Sequence, residues 1–221
     1  MKKINLLVFD LDGTLYNLDD VVGLNYKMQL DFYSEVMSTD YTETVAIFEE
    51  NGIFPVIQQT SKSATEFFIK SGIPIEKWNE YRELHFDVRY INRENAASDY
   101  IISLFESIAP IVLLSSNSKN NIIRILEHIG IKQAHFEEII CSDNKYAEGS
   151  FNKLDEIKLI AKRKMISTEN ILSIGERYKT DVEPIISLNG MGVIVKGANQ
   201  LLSVYDALKT DIFDNIEIYN I

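Results

Sequence analysis

Apolar positions along the chain follow two rhythms, and the change between them divides it. Residues 6–9, Leu-Leu-Val-Phe, form an unbroken apolar run that ends at Asp10. A run this short, bounded by turn-forming residues, predicts a strand buried on both faces. After Thr14 the strand pattern stops. Val22, Tyr26, Leu30, Tyr33 and Met37 then recur at helical spacing. Breaks near Thr39-Asp40, Asn51-Gly52 and Ser71-Gly72-Ile73-Pro74 divide this stretch into about four helices. Thr42, Ser63 and Ser71 are its candidate N-cap or break residues. From residue 97 the rhythm becomes an alternation of helices and strands. Helices are predicted over 100–108, 119–129 (stopped by Gly130), 154–164, 181–188 and 200–208. Strands are predicted over 110–114, 138–141, 171–174 and 192–195, with an edge strand at 216–219.

Alternating units of this kind specify a mostly parallel sheet with helices on both faces. The expected fold class is therefore α/β: a three-layer, Rossmann-like parallel sheet core with an inserted all-helical subdomain. The core would comprise 1–16 and 97–221, and the helical insertion 17–96, directly after the first strand.

Composition narrows the function classes. The 221 residues suit one large domain, or a core with a modest insertion. With 22 basic against 33 acidic residues the net charge is −11, which argues against a nucleic-acid polymer or an anionic membrane as main partner. The single cysteine, Cys141, excludes an intrachain disulfide and fits a reducing compartment. Met1-Lys2-Lys3 precedes an apolar run too short for a signal peptide and ended by Asp10. The expectation is a cytoplasmic protein.

The chemistry gathers where strands end. Asp10, Asp12, Gly13 and Thr14 follow the first strand, at the C-terminal edge where open parallel sheets place their sites. Two carboxylates this close need a cation between them or a shared proton. Mg²⁺ fits, because it takes a few carboxylate and carbonyl oxygens and leaves positions for a substrate phosphate. An Asx-type turn is the plain alternative. At the second core strand, Ser115-Ser116-Asn117-Ser118 could donate to a phosphate or simply cap a helix. Before the fourth strand Lys153 could supply positive charge, although most lysines are solvated. After it, Glu176 and Asp181 stand five apart across a loop entering a helix.

Taken together, in this order, these segments resemble the four motifs of the haloacid dehalogenase-like (HAD) hydrolases, mostly Mg²⁺-dependent phosphatases that use an aspartyl-phosphate. The likeness covers the chain except the helical insertion, whose position matches relatives with a helical cap of type C1. It implies Asp10 as nucleophile and Asp12 as general acid and base. Ser116 and Asn117 would be substrate contacts, with Ser115 the alternate if the register slips by one, and Thr14 would support the loop or the substrate. Lys153 would be the site lysine, although it lacks the usual following proline, so Lys145 and Lys158 stay open. Mg²⁺ would be held by Asp10, Asp12 through its backbone carbonyl, and Asp181, with Glu176 in the place of the usual first aspartate.

The likeness further implies a small phosphorylated metabolite as partner. Asp12 favours phosphoryl transfer over dehalogenation, because a halide needs no proton. A sugar-phosphate mutase, or a weakened HAD protein that binds phosphorylated ligands, remains an alternative. His85, His128 and His135 lack metal-ligand spacing. Trp78, Tyr81 and His85 share a helical face and read as core of the insertion. Arg82, Arg89 and Arg93 could reach an anionic substrate but read better as a solvated face, and Cys141 reads as a buried strand end.

Overall fold

The computed structural model of the chain describes residues 3–55, 63–142, 151–213 and 216–220. Lys145 lies outside them. Strand β1 (Leu6–Phe9) has all four residues buried. It lies in the middle of a six-stranded sheet of order β3-β2-β1-β4-β5-β6, with β2 (Ile111–Leu114), β3 (Glu138–Ile140), β4 (Ile171–Gly175), β5 (Met191–Ile194) and β6 (Glu217–Tyr219). Five strands are parallel, and β6 closes the edge antiparallel to β5.

Side chains alternate across a strand, and here the alternation builds two separate core layers. Leu7 and Phe9 join Leu113 and Ile174 beneath the helices that carry Phe105, Ile125 and Val204. Leu6 and Val8 join Val112 and Ile171 beneath those that carry Ile157, Ile160 and Ile185. The chain is thus a three-layer α/β sandwich of Rossmann-like type.

Between β1 and β2 the chain forms α1 (Val22–Met37), α2 (Tyr41–Glu50), α3 (Ala64–Lys70) and α4 (Ile75–His85), followed by α5 (Asp99–Glu106) under the sheet. The first four pack around aromatic rings, with Phe32 5.1 Å from both Phe68 and Trp78. The buried face of α1 is Met28, Leu30, Phe32 and Tyr33, and Met37 is exposed at its end. One expected cap changes. Asp40, not Thr42, caps α2 by accepting from Glu43 N–H, because Thr42 already lies inside the helix. Ser63 caps α3 and Ser71 is the break that closes it, both as expected.

The tail of α4 is fastened to α6 (Lys119–Ile129) by Arg124, whose guanidinium donates to the carbonyls of Glu83 and Phe86, each at 2.8 Å. Those carbonyls are orphans of a helix end, and the cation satisfies them. His128 contacts the Ile91 carbonyl at 3.0 Å, and His135 lies between Asp99 and Glu106. Cys141 follows β3 half-buried.

The remaining helices are α7 (Lys153–Lys164), α8 (Glu183–Ile186) and α9 (Leu201–Thr210). The helix expected over 181–188 differs. A single π-helical turn covers Tyr178–Val182, and α8 is only four residues long. Pro184, favoured at a first helical turn, starts α8 after the wide turn, which leaves Asp181 under the end of β4. Among the described residues no helix is long and apolar enough to cross a membrane.

Candidate active site

Three loops meet at the C-terminal ends of β1, β2 and β4. The first turns on Gly13, where φ is +76°, a conformation cheap only for glycine. Leu11 C=O accepts from the N–H groups of Thr14 and Leu15, closing the turn behind Asp10 and Asp12. Gly13 has a second reason to lack a side chain: a Cβ there would lie 2.0 Å from Glu176 Oε2. The Glu176 carboxylate is thus laid against the first loop. At Gly175, likewise, a Cβ would come 2.3 Å from Asp181 Cβ. Both glycines make room for acids.

Asp10 is 8% exposed and Asp181 3%. Lys153, the first residue of α7, lays its ammonium between them, 2.5 Å from Asp10 Oδ1 and 2.8 Å from Asp181 Oδ1. This selects it over Lys158, which pairs at the surface with Asp155. Asp181 is held by further donors, Thr180 Oγ1 at 2.9 Å and Arg177 N–H at 2.8 Å. Glu176 is drawn to Arg177, whose Nε is 2.8 Å from Oε1.

Electrostatics follow from this burial. Desolvation pushes Asp10 upward, helped by Asp181 and Asp12 and opposed by Lys153, from 3.8 to about 8. Burial alone would lower Lys153, but the two carboxylates outweigh it and hold the ammonium protonated. Burial also raises Glu176 against the pull of Arg177. The sign for stability follows. The folded chain keeps the Asp10 proton to a higher pH than the unfolded chain, so this group's contribution is full below about pH 4. It is lost as pH rises toward about 8. Without divalent metal, the Tm of wild type relative to Asp10→Asn should therefore fall between pH 5 and 8. A relative Tm that rises over that interval contradicts the burial argument.

Asp12 is oriented by a separate set of groups. The fully buried Tyr16 donates its hydroxyl to Asp12 Oδ1. Burial and then the Asp12 charge raise the Tyr16 pKa, so the phenol keeps its proton. At longer range Ser115 Oγ stands 3.4 Å from Oδ2, and Asn117 Nδ2 is 3.3 Å and 3.4 Å from the two oxygens. Arg82, from α4, donates to Asn117 Oδ1 at 2.9 Å.

The expected phosphate contacts separate here. Ser116 is exposed, while Ser115 is buried and accepts from Asn117 N–H at 3.1 Å. The Asn117 side chain is engaged by Asp12 and Arg82. Thr14 is fully enclosed and its hydroxyl has no partner among the described residues. Tyr16 and Arg177 join these contacts without any local pattern having marked them, and of the three arginines of the helical segment it is Arg82 that bonds Asn117.

The donor set is made of hard oxygens. Among the described residues no group of three or more Asp, Glu, His or Cys side chains is gathered around one metal position. Mg²⁺ needs fewer, since it is commonly bound by one or two carboxylates and keeps several waters. Asp10 and Asp181, already bridged by one cation in Lys153, fit that requirement.

Residues 7–183 match the family model described as haloacid dehalogenase-like hydrolase, so the chain belongs to the haloacid dehalogenase-like hydrolases. No curated protein matches the sequence significantly. Among solved structures it is similar to a HAD phosphatase from Thermococcus onnurineus, with 14% identity, 91% of this chain and 97% of that one covered, and a TM-score of 0.60. It is also similar to a beta-phosphoglucomutase from Clostridium difficile, at 18% identity, 94% and 100% coverage and a TM-score of 0.52. A HAD family enzyme from Bacteroides thetaiotaomicron, in complex with magnesium and inorganic phosphate, shares 14% identity over 88% and 95% of the chains, with a TM-score of 0.50. At these identities the likeness speaks for the fold.

Proposed function

We propose that the chain is a Mg²⁺-dependent phosphohydrolase of small phosphomonoesters that works through an aspartyl-phosphate on Asp10. The observation that carries this reading is the buried Asp10–Lys153–Asp181 arrangement, with Asp12 two residues away and held by its own donors. In this reading an Asp10 oxygen attacks phosphorus, forming the new O–P bond as the ester O–P bond breaks. Asp12 gives its proton to the departing oxygen. It then takes a proton from the water that attacks the aspartyl-phosphate, so both Asp10 and the Asp12 proton are restored.

Lys153 offsets charge on the phosphoryl oxygens, and the exposed Ser116 offers a hydroxyl that the buried Ser115 cannot. Asp10, Asp181 and the Asp12 carbonyl would hold Mg²⁺, with Glu176 in support. The metal, when bound, supplies Lewis-acid charge to the phosphoryl group. Residues 17–96 would act as the cap that excludes water from the strand ends. A reading as a weakened ligand-binding protein rests on Glu176, whose carboxylate is engaged by Arg177. The beta-phosphoglucomutase neighbour keeps a mutase in view.

Phosphate release from a panel of phosphomonoesters, with Mg²⁺ and with EDTA, tests the proposal. Metal-dependent release on at least one substrate is the expected result. Binding without release points to the ligand-binding reading, and isomer interconversion without net release points to a mutase.

A further inference from the structure

Arg82 differs from the other arginines of the helical segment. Arg89 is closed by a bidentate pair with Asp87 at 2.7 Å, and Arg93 is exposed. Arg82 is half-buried on α4, lies over the Trp78 ring at 5.6 Å, and donates to the neutral amide oxygen of Asn117. Among the described residues no carboxylate stands within ion-pair distance of it. A guanidinium carries five N–H donors in a fixed fork, and among the described residues Asn117 Oδ1 is the acceptor that engages it. A partly desolvated charge without a counter-ion is costly, and an arriving anion would relieve that cost.

Its place in the site says where that anion would be. Asn117 links Arg82 to Asp12, and Arg82 is near enough for its charge to act on the Tyr16 hydroxyl. In the reading above Asp12 meets the leaving oxygen, while Lys153 attends the phosphoryl group from Asp10 and Asp181. The positive charge of Arg82 therefore stands on the leaving-group side. We infer that Arg82 recognises a carboxylate on the leaving group, so that the substrate class is a phosphomonoester of a small hydroxy acid. This rests on the phosphohydrolase reading for the direction in which substrate lies.

The test uses two non-hydrolysable probes that differ by one carboxylate, phosphonoacetate and methylphosphonate. Their binding to the full chain with Mg²⁺ is measured by calorimetry for wild type, Arg82→Met and Arg82→Lys. Wild type should bind phosphonoacetate about tenfold or more tighter, the scale of a charge-assisted pair. In Arg82→Met the ratio should fall to about one, and Arg82→Lys should keep part of it, as expected of a point charge without the fork. Equal affinities in wild type overturn the inference, as does a preference that survives Arg82→Met. Equal loss of both probes in Arg82→Met also overturns it, since Arg82 would then act only as a brace for Asn117. A preference for phosphonoacetate without turnover of any phosphomonoester sinks the hydrolase reading alone. Turnover without the preference sinks this inference alone.

Discussion

Replacing Asp10 with Asn lowers phosphate release by about 10⁴-fold or more, the scale seen when a covalent nucleophile is removed, and leaves the chain folded. The amide has the same shape but is a poor nucleophile. Its effect on stability should run the other way from its effect on rate. Asp10 lies buried with Asp12 and Asp181 nearby, and its ionised form is disfavoured there. The neutral amide removes that cost, while Lys153 keeps its pair with Asp181 at 2.8 Å. In metal-free buffer at pH 8 the Tm of Asp10→Asn should therefore equal or exceed that of wild type. Steady-state kinetics and thermal melts on one preparation check both halves. Rate and stability falling together would mean that Asp10 is a structural residue.

Lys153→Met has the opposite balance. The substitution keeps most of the apolar stem and removes the cation that Asp10 and Asp181 share. Two buried carboxylates are then left facing each other, and breaking a buried pair from one side costs about 3–5 kcal/mol. The loss should be largest near pH 8 without metal. It should shrink toward pH 5, where a carboxylate can take up a proton. Saturating Mg²⁺ should restore part of the Tm but not the rate, which should stay about 10²–10³-fold low for want of a charge on the phosphoryl oxygens. Denaturant melts in EDTA and in Mg²⁺ measure the two contributions. A variant as stable as wild type in EDTA would show that the bridge contributes nothing to the fold.

How far the sequence carried the account depends on the range of the interactions involved. The sheet and its helices were legible because burial on one or two faces imposes a period, as in residues 6–9 and 119–129. Asp10, Asp12 and Glu176 stood out because they follow apolar runs, Asp181 by its spacing from Glu176, and Lys153 only through the resemblance to the family. Asp181 was found although its helix was not, since the π-helical turn at Tyr178–Val182 depends on packing beneath β4. Thr42 was a weaker choice than Asp40 by position, not by chemistry.

The contacts that orient Asp12 were not legible, although Ser115 and Asn117 were named as candidates for contacting phosphate. Asn117 lies 105 residues from Asp12, and Arg82 lies 35 from Asn117. No local pattern encodes such contacts. Tyr16 is only four residues from Asp12, yet a tyrosine after an apolar residue reads as core, and nothing marks its hydroxyl as turned back. Arg82 read as a solvated face for the same reason, because helical spacing locates a side chain on α4 without saying what the helix is docked against.

The central claim is that phosphorus passes through Asp10, and trapping the intermediate tests it most directly. Wild-type enzyme is mixed with excess phosphomonoester and Mg²⁺, quenched in acid within the first turnovers, and digested for mass spectrometry. The account predicts a phosphoryl mass increment on the peptide containing Asp10, absent in Asp10→Asn and absent when EDTA replaces Mg²⁺. Turnover with the increment on another residue, or with the same yield of labelled peptide from Asp10→Asn, would contradict it.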